Sequence, residues 1–194
     1  MFVIFLNTIF PLLEGKRPRP CIQFLSYYKI NRQRNLGDRC EILKISHPIK
    51  SHWAREKNLN LEELLSNNAY KESYRLEMIK WSDEMRQQDY GCFCRDACHT
   101  AIDRSIWIVS DIRRKTDIIW FKETYGDIVC TIRISADNQA RFERGFVFVK
   151  GVDDVASECD LDDFKDWDLE VNNGSGRKQL EHQLENILEL LSHL

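Results

Sequence analysis

The chain predicts an α/β fold on a mainly parallel sheet, and three observations predict it. Ile106-Trp107-Ile108-Val109 is an unbroken apolar run of strand length, the kind buried on both faces inside a parallel sheet. Residues 128–134 are rich in β-branched side chains and read as a second strand. Residues 60–89, 117–125 and 177–193 carry apolar side chains at helical spacing. Strands alternating with helices make βαβ units, and those units make parallel sheets.

The totals narrow the function classes. A length of 194 residues fits one domain with a sizeable core, and 43% hydrophobic with 30% charged content is that of a soluble globular protein. Net charge is −3, from 28 basic and 31 acidic residues, which argues against a broad nucleic-acid footprint. Basic residues crowd between Lys71 and Arg144 and acids between Asp153 and Asp168, a separation that suggests a local anion site. Seven cysteines, an odd number without framework spacing, point to a reducing compartment and free thiols. Cys92-Phe93-Cys94 with Cys98 is half a metal site that no second pair completes, so no metal is assigned to it. The apolar opening, Met1 to Leu13, has no basic flank and is too short to span a bilayer, so it reads as non-secretory.

In chain order, residues 2–10 form a strand that Pro11 interrupts. Glu14-Gly15-Lys16-Arg17 stands where a phosphate-binding loop would begin. Pro18 and Pro20 lack the N–H donors of such a loop, and no second Gly-Lys follows. Residues 21–34 read as a helix, and residues 40–46 as a second strand ending in a turn at His47-Pro48. His47, His52 and His99 are given no role. Over residues 60–89, Leu61, Leu64 and Leu65 begin an amphipathic segment that Tyr70, Tyr74, Met78 and Trp81 continue. Lys71 and Arg75, four apart, share a face, with Arg86 at the segment's end and Arg95 just beyond; a solvated charged face is the ordinary alternative.

The strand at Ile106 to Val109 ends in Ser110-Asp111-Ile112-Arg113-Arg114. Ligands of open α/β sheets bind beyond the carboxyl ends of the strands, so one carboxylate and two guanidiniums are delivered there. The planar guanidinium fork suits phosphate, although a surface Asp-Arg turn explains the same residues equally well. Residues 117–125 form a helix burying Ile118, Ile119, Trp120 and Phe121, with Gly126 as its cap. Residues 138–145 make a polar helical turn on which Arg141 and Arg144 point the same way. Residues 151–163 read as an acidic loop, and residues 164–171 as the last strand with Trp167 and Leu169 inward. A turn at residues 172–176 can present backbone amides. In the closing helix Leu180, Leu184, Ile187, Leu188 and Leu191 form a packing stripe.

Several ordered strings then resemble one family. They are Tyr70-Lys71-Glu72 with Met78-Ile79-Lys80-Trp81; Trp107-Ile108-Val109-Ser110-Asp111 with Arg113-Arg114; and Asp117-Ile118 with Trp120-Phe121. Gly151-Val152-Asp153-Asp154 with Ser157-Glu158-Cys159, and Leu180-Glu181 with Gln183-Leu184-Glu185-Asn186, complete the set. From about residue 36 to the end, the chain resembles animal phosphomevalonate kinases. The resemblance implies a P-loop kinase-like three-layer sandwich of the nucleoside-monophosphate-kinase kind, as a single kinase domain over residues 1–194. Residues 60–95 would be acceptor-binding helices and residues 137–150 an arginine-bearing lid, with residues 1–35 an atypical phosphate-loop region. It implies transfer of the ATP γ-phosphoryl group to (R)-5-phosphomevalonate, with Mg²⁺, in isoprenoid and sterol biosynthesis. It implies catalytic roles for Lys16, Arg113 and Arg114, and ATP contacts from Gly15, Lys16, Arg17, Arg141, Arg144, Gly174 and Gln183. Lys71, Arg75, Arg86, Arg95 and Asn173 would bind the acceptor, and Asp111 would either hold a water on Mg²⁺ or serve the strand end structurally. A monomer in the cytosol is expected, with peroxisomes also open and no nucleic-acid or membrane partner.

The family's loop reads Gly-Lys-Arg-Lys-x-Gly-Lys-Asp, whereas this chain continues Gly15-Lys16-Arg17 with Pro18-Arg19-Pro20-Cys21. Loss of a preorganised cation on the terminal phosphates costs on the order of 3–5 kcal/mol of barrier. Two readings therefore stand: a working kinase, or an impaired relative that only binds its substrate or a protein partner.

Overall fold

The computed structural model describes residues 2–8, 39–66, 69–101, 104–143, 145–148, 150, 154–174, 182, 183 and 185. Five strands run through them: β1 (Phe2–Thr8), β2 (Cys40–Leu43), β3 (Ile106–Val109), β4 (Val129–Ser135) and β5 (Leu169–Asn172). All pair in parallel, in the order β2-β3-β1-β4-β5. The register sets Phe2 opposite Ile106, Val3 opposite Val129, Cys40 opposite Ile106 and Ile132 opposite Leu169. All four residues of β3 are buried, which is why its sequence is apolar without alternation.

Parallel neighbours need crossover segments, and helices supply them. Between β2 and β3 lie α1 (Ser46–Lys57), α2 (Leu61–Leu65), α3 (Ala69–Gln88) and α4 (Cys92–Cys98). Helix α5 (Lys115–Tyr125) joins β3 to β4, while α6 (Asn138–Glu143) and α7 (Ala156–Cys159) lie between β4 and β5. The expected α/β class with a parallel sheet is thus observed.

Several local expectations are corrected: Ile119, expected inside, is 47% exposed, and the last strand begins only at Leu169. The turn at His47-Pro48 is instead the first turn of α1, where proline is tolerated because its missing N–H would have no intrahelical acceptor. The helical stretch over residues 60–89 is divided, because Ser66 is extended (φ −76°, ψ 170°) and ends α2. Helix α2 begins on a cap in which the Asn60 side chain accepts from the Glu63 N–H at 3.3 Å. The acidic loop contains the short helix α7. Gly126, as expected, ends α5 at φ +60°, a conformation that glycine adopts without strain. The helix expected over residues 21–34 lies outside the described residues, as does most of that over 177–193, of which His182, Gln183 and Glu185 are helical.

One core joins Leu43, Trp107, Val109 and Val129 of the sheet to Phe93 and Cys94 of α4 and Ile118 and Phe121 of α5. A second packs Trp53 and Ala54 of α1 against Leu64 of α2 and Met78 of α3, with the Trp53 and Trp81 rings 5.5 Å apart. Each large side chain so buried contributes about 1.5–3 kcal/mol. Among the described residues no helix is long and apolar enough to cross a membrane. Because the strands are parallel, all their carboxyl ends share one edge. The strand order reverses about β1, and the crevice of such a sheet opens at that switch point.

Candidate functional site

At that edge β3 continues into Ser110 to Arg114, and hydrogen bonds and ion pairs fix most of this stretch. Ser110 N donates to Leu43 O at 3.1 Å, carrying the pairing one step past β2. Asp111 accepts the Ile45 N–H on Oδ1 at 2.7 Å and the Ser46 N–H on Oδ2 at 3.1 Å. It thereby caps the start of α1 with a carboxylate, favourable to the helix dipole. Ile112 is buried in the main core. Arg113 reaches Glu158, and Arg114 reaches across to α3, its NH2 donating to Asp83 Oδ1 at 2.5 Å. Lys115 N donates to Asp160 Oδ2 at 2.8 Å.

Helix α3 brings Lys71 and Arg75 to the same place. Arg75 lies 3.5 Å from Glu72 and 3.3 Å from Glu158 Oε1, the oxygen that also accepts Arg113. Lys71, buried, lies 3.9 Å from Glu72. Lys50 of α1 belongs with them: its pKa is pushed down to about 8, first by burial, then by the charge of Lys71, with Lys44 and Arg113 adding to the push and Asp111 opposing it. Lys50, Lys71, Arg75 and Arg113 therefore form one group. Sequence alone does not point to Lys50, because the proline in the first turn of its helix looks like a turn signal. The signal available was Trp53-Ala54 in a stretch following a strand end.

Arg86 turns inward, with Nε and NH2 at 3.4 and 3.5 Å from Asp117 Oδ1 and its guanidinium 4.9 Å above the Phe93 ring. Burial lifts the Asp117 carboxyl above its usual range and Arg86 opposes the lift. Cys94 Sγ donates to the same oxygen at 3.6 Å, its thiol pushed up by burial and by Asp117. Arg95 pairs with Asp89 in the corner between α3 and α4, half exposed and apart from the Lys50 group.

The ends of β4 and β5 gather a second set. Asp137 Oδ1 accepts the Ala140 N–H at 2.7 Å and starts α6, which carries Arg141. The Arg141 guanidinium stacks 4.4 Å from the Phe146 ring. Asn173 is buried and its N–H donates to Ser135 O at 2.7 Å. Gly174 N donates to Asn172 Oδ1 at 2.7 Å, and a Cβ at Gly174 would stand 2.7 Å from Asp137 Oδ2, so a larger residue there would push that carboxylate aside. Gln183 Oε1 accepts the Asn172 N–H at 3.0 Å. Arg141, Asn173, Gly174 and Gln183 thus cluster where the two strands end. Gly15, Lys16, Arg17 and Arg144 lie outside the described residues. Among the described residues no three His, Cys, Asp or Glu side chains stand together as metal ligands.

The arrangement suits anions rather than covalent chemistry. Its cations come from three separate segments and are held in place by carboxylates, so that little reorganisation is needed when a phosphate arrives.

A family model described as phosphomevalonate kinase matches residues 26–127, a span that includes Lys50, Lys71, Arg75, Arg113 and Arg114. A curated phosphomevalonate kinase of Drosophila melanogaster is 50% identical over 159 residues, covering 80% of this chain and 82% of that protein.

Proposed function

The chain belongs to the phosphomevalonate kinase family, and from that premise we propose how its residues carry the reaction. It is an ATP-dependent kinase that phosphorylates (R)-5-phosphomevalonate, giving ADP and (R)-5-diphosphomevalonate in the mevalonate pathway. Substrate binding without turnover is the less favoured reading against a relative at this identity.

The chemical problem is electrostatic. Two unit charges 4 Å apart repel by about 1 kcal/mol in water and several times that in a drier site, and here both reactants carry several charges. The acceptor phosphate is already a nucleophile at neutral pH, so no general base is needed, and positioning with charge stabilisation does the work. In this reading Lys50, Lys71 and Arg75 grip the acceptor phosphate. Arg113 and Arg114 at the β3 end steady the phosphoryl group in flight, with Lys16 on the ATP side. Arg86 and Arg95 flank the acceptor region, Arg86 by holding α3 against α5 through Asp117. Asn173, Gly174 and Gln183 at the β4 and β5 ends meet the nucleotide and the acceptor's far side. Residues 137–150 act as a lid carrying Arg141 and Arg144, over a three-layer sandwich.

Mg²⁺ is proposed to enter with ATP, held mainly by phosphate oxygens as is usual for this ion. Asp111 fits as a protein contact to it through water, since both oxygens already accept backbone N–H groups. A monomer is proposed, and the free thiols of Cys94 and Cys98 support a reducing compartment such as the cytosol.

The observation that carries the proposal is that Arg75 and Arg113 meet on one oxygen of Glu158, with Lys50 and Lys71 beside them. A coupled assay of ADP release tests it: ADP should form with 5-phosphomevalonate and not with mevalonate, which lacks the phosphate. Equal rates with the two compounds would defeat the assignment.

A further inference from the structure

We infer that Glu158 is a positioning residue for the acceptor phosphate, holding Arg113 and Arg75 in the geometry that phosphate binding requires. The inference rests on the acceptor reading above and extends it to a carboxylate that neither the family match nor the relative assigns. Glu158 is nearly enclosed, its side chain 5% exposed, while Arg113 keeps 32% of its side chain open to solvent. The acid is therefore the enclosed partner of the pair, and part of the Arg113 side chain stays open to solvent. One oxygen, Oε1, accepts from Arg75 NH2 on α3 and from Arg113 NH1 at the end of β3. It thus couples the acceptor helix to the mouth of the sheet.

A carboxylate on two arginines of an anion site has another possible use, as a stand-in for phosphate that the substrate must displace. Its surroundings argue against that use. Glu158 sits on a segment pinned close on its C-terminal side. Asp160 Oδ2 accepts the Lys115 N–H at 2.8 Å, Leu161 is buried in the main core, and Leu161 O accepts from Arg133 at 3.0 Å. Glu158 and Asp160 together grip Arg113 and Lys115, on either side of Arg114. A group so anchored orients its partners and does not swing aside.

Steady-state kinetics of Glu158→Gln and Glu158→Asp, with thermal melts of both, test the inference. Gln keeps the shape and removes the charge, and misplacement of a positioned group can lower rates on the order of 10- to 100-fold. The expected result is a fall of that size in kcat/KM for 5-phosphomevalonate, with KM for ATP within about twofold of the parent. Glu158→Asp should lie between the two, because it restores the charge at shorter reach. Unchanged kinetics, or equal losses for both substrates, would overturn the inference, as would tighter acceptor binding, the mark of a displaced competitor. If the parent itself neither binds nor turns over 5-phosphomevalonate, the acceptor reading fails and this inference with it. Parental turnover with an indifferent Glu158→Gln defeats this inference alone.

Discussion

Lys50 shows what a single buried ammonium contributes. Burial and the neighbouring cations lower its pKa from 10.5 to about 8. Below that pH the folded chain holds a charge that costs stability, and the cost is relieved as pH rises from about 8 toward 10.5. The same charge attracts phosphate, so binding the dianion favours the protonated form and draws in a proton near pH 8. We therefore expect kcat/KM for 5-phosphomevalonate to decline as pH rises through about 8. Lys50→Arg should flatten that decline, since a guanidinium stays charged throughout; a decline unaltered by the substitution would assign it to another group. Sequence alone made Lys71, Arg75 and Arg113 legible, through helical spacing and a strand end. It did not make the acids legible, because Glu158 meets Arg75 and Arg113, and Asp117 meets Arg86, across long stretches of chain.

At the scale of elements, the helices are set against one another by polar pairs and one close approach. Asp117 of α5 is 1% exposed and neutralises Arg86 of α3. Asp117→Ala leaves that guanidinium buried without its partner, which should cost about 3–5 kcal/mol in a denaturant melt. A cost below about 1 kcal/mol would mean that Arg86 finds water or another acid. Gly91, which precedes α4, is closed in by Trp120 of α5, whose Cδ1 would lie 2.1 Å from an added Cβ. Gly91→Ala must displace the indole, and overpacking of this kind typically costs about 1–3 kcal/mol; an unchanged melting temperature would show that the ring yields freely. The strands at β3 and β4 were readable from their β-branched and apolar runs. Helix α1 was not, because a proline in a first turn looks like a proline in a turn. Nor was the break at Ser66, where the apolar spacing continues on both sides.

Over the whole molecule, the charge pattern changes meaning on folding. Acids that crowd late in the sequence fold back onto earlier cations: Glu158 on Arg75 and Arg113, Asp163 on Lys115, Asp166 on Lys122. What looked like separated basic and acidic stretches is an interleaved framework that holds the cations in place. Parallel pairing and the carboxyl-edge placement of Asp111 to Arg114 followed from the strand pattern. The order β2-β3-β1-β4-β5 did not, because strand order depends on which crossover passes which neighbour. In the proposed site, cations from α1, α3 and the end of β3 act together on the acceptor phosphate. Calorimetric titration of 5-phosphomevalonate into Lys50→Met, Arg75→Met and Arg113→Met tests it directly. Lys80→Met serves as control, a charge on the same α3 but 82% exposed. Affinity losses of about tenfold or more are expected for the first three and none for the control. Losses of equal size at all four positions, or at none, would contradict it.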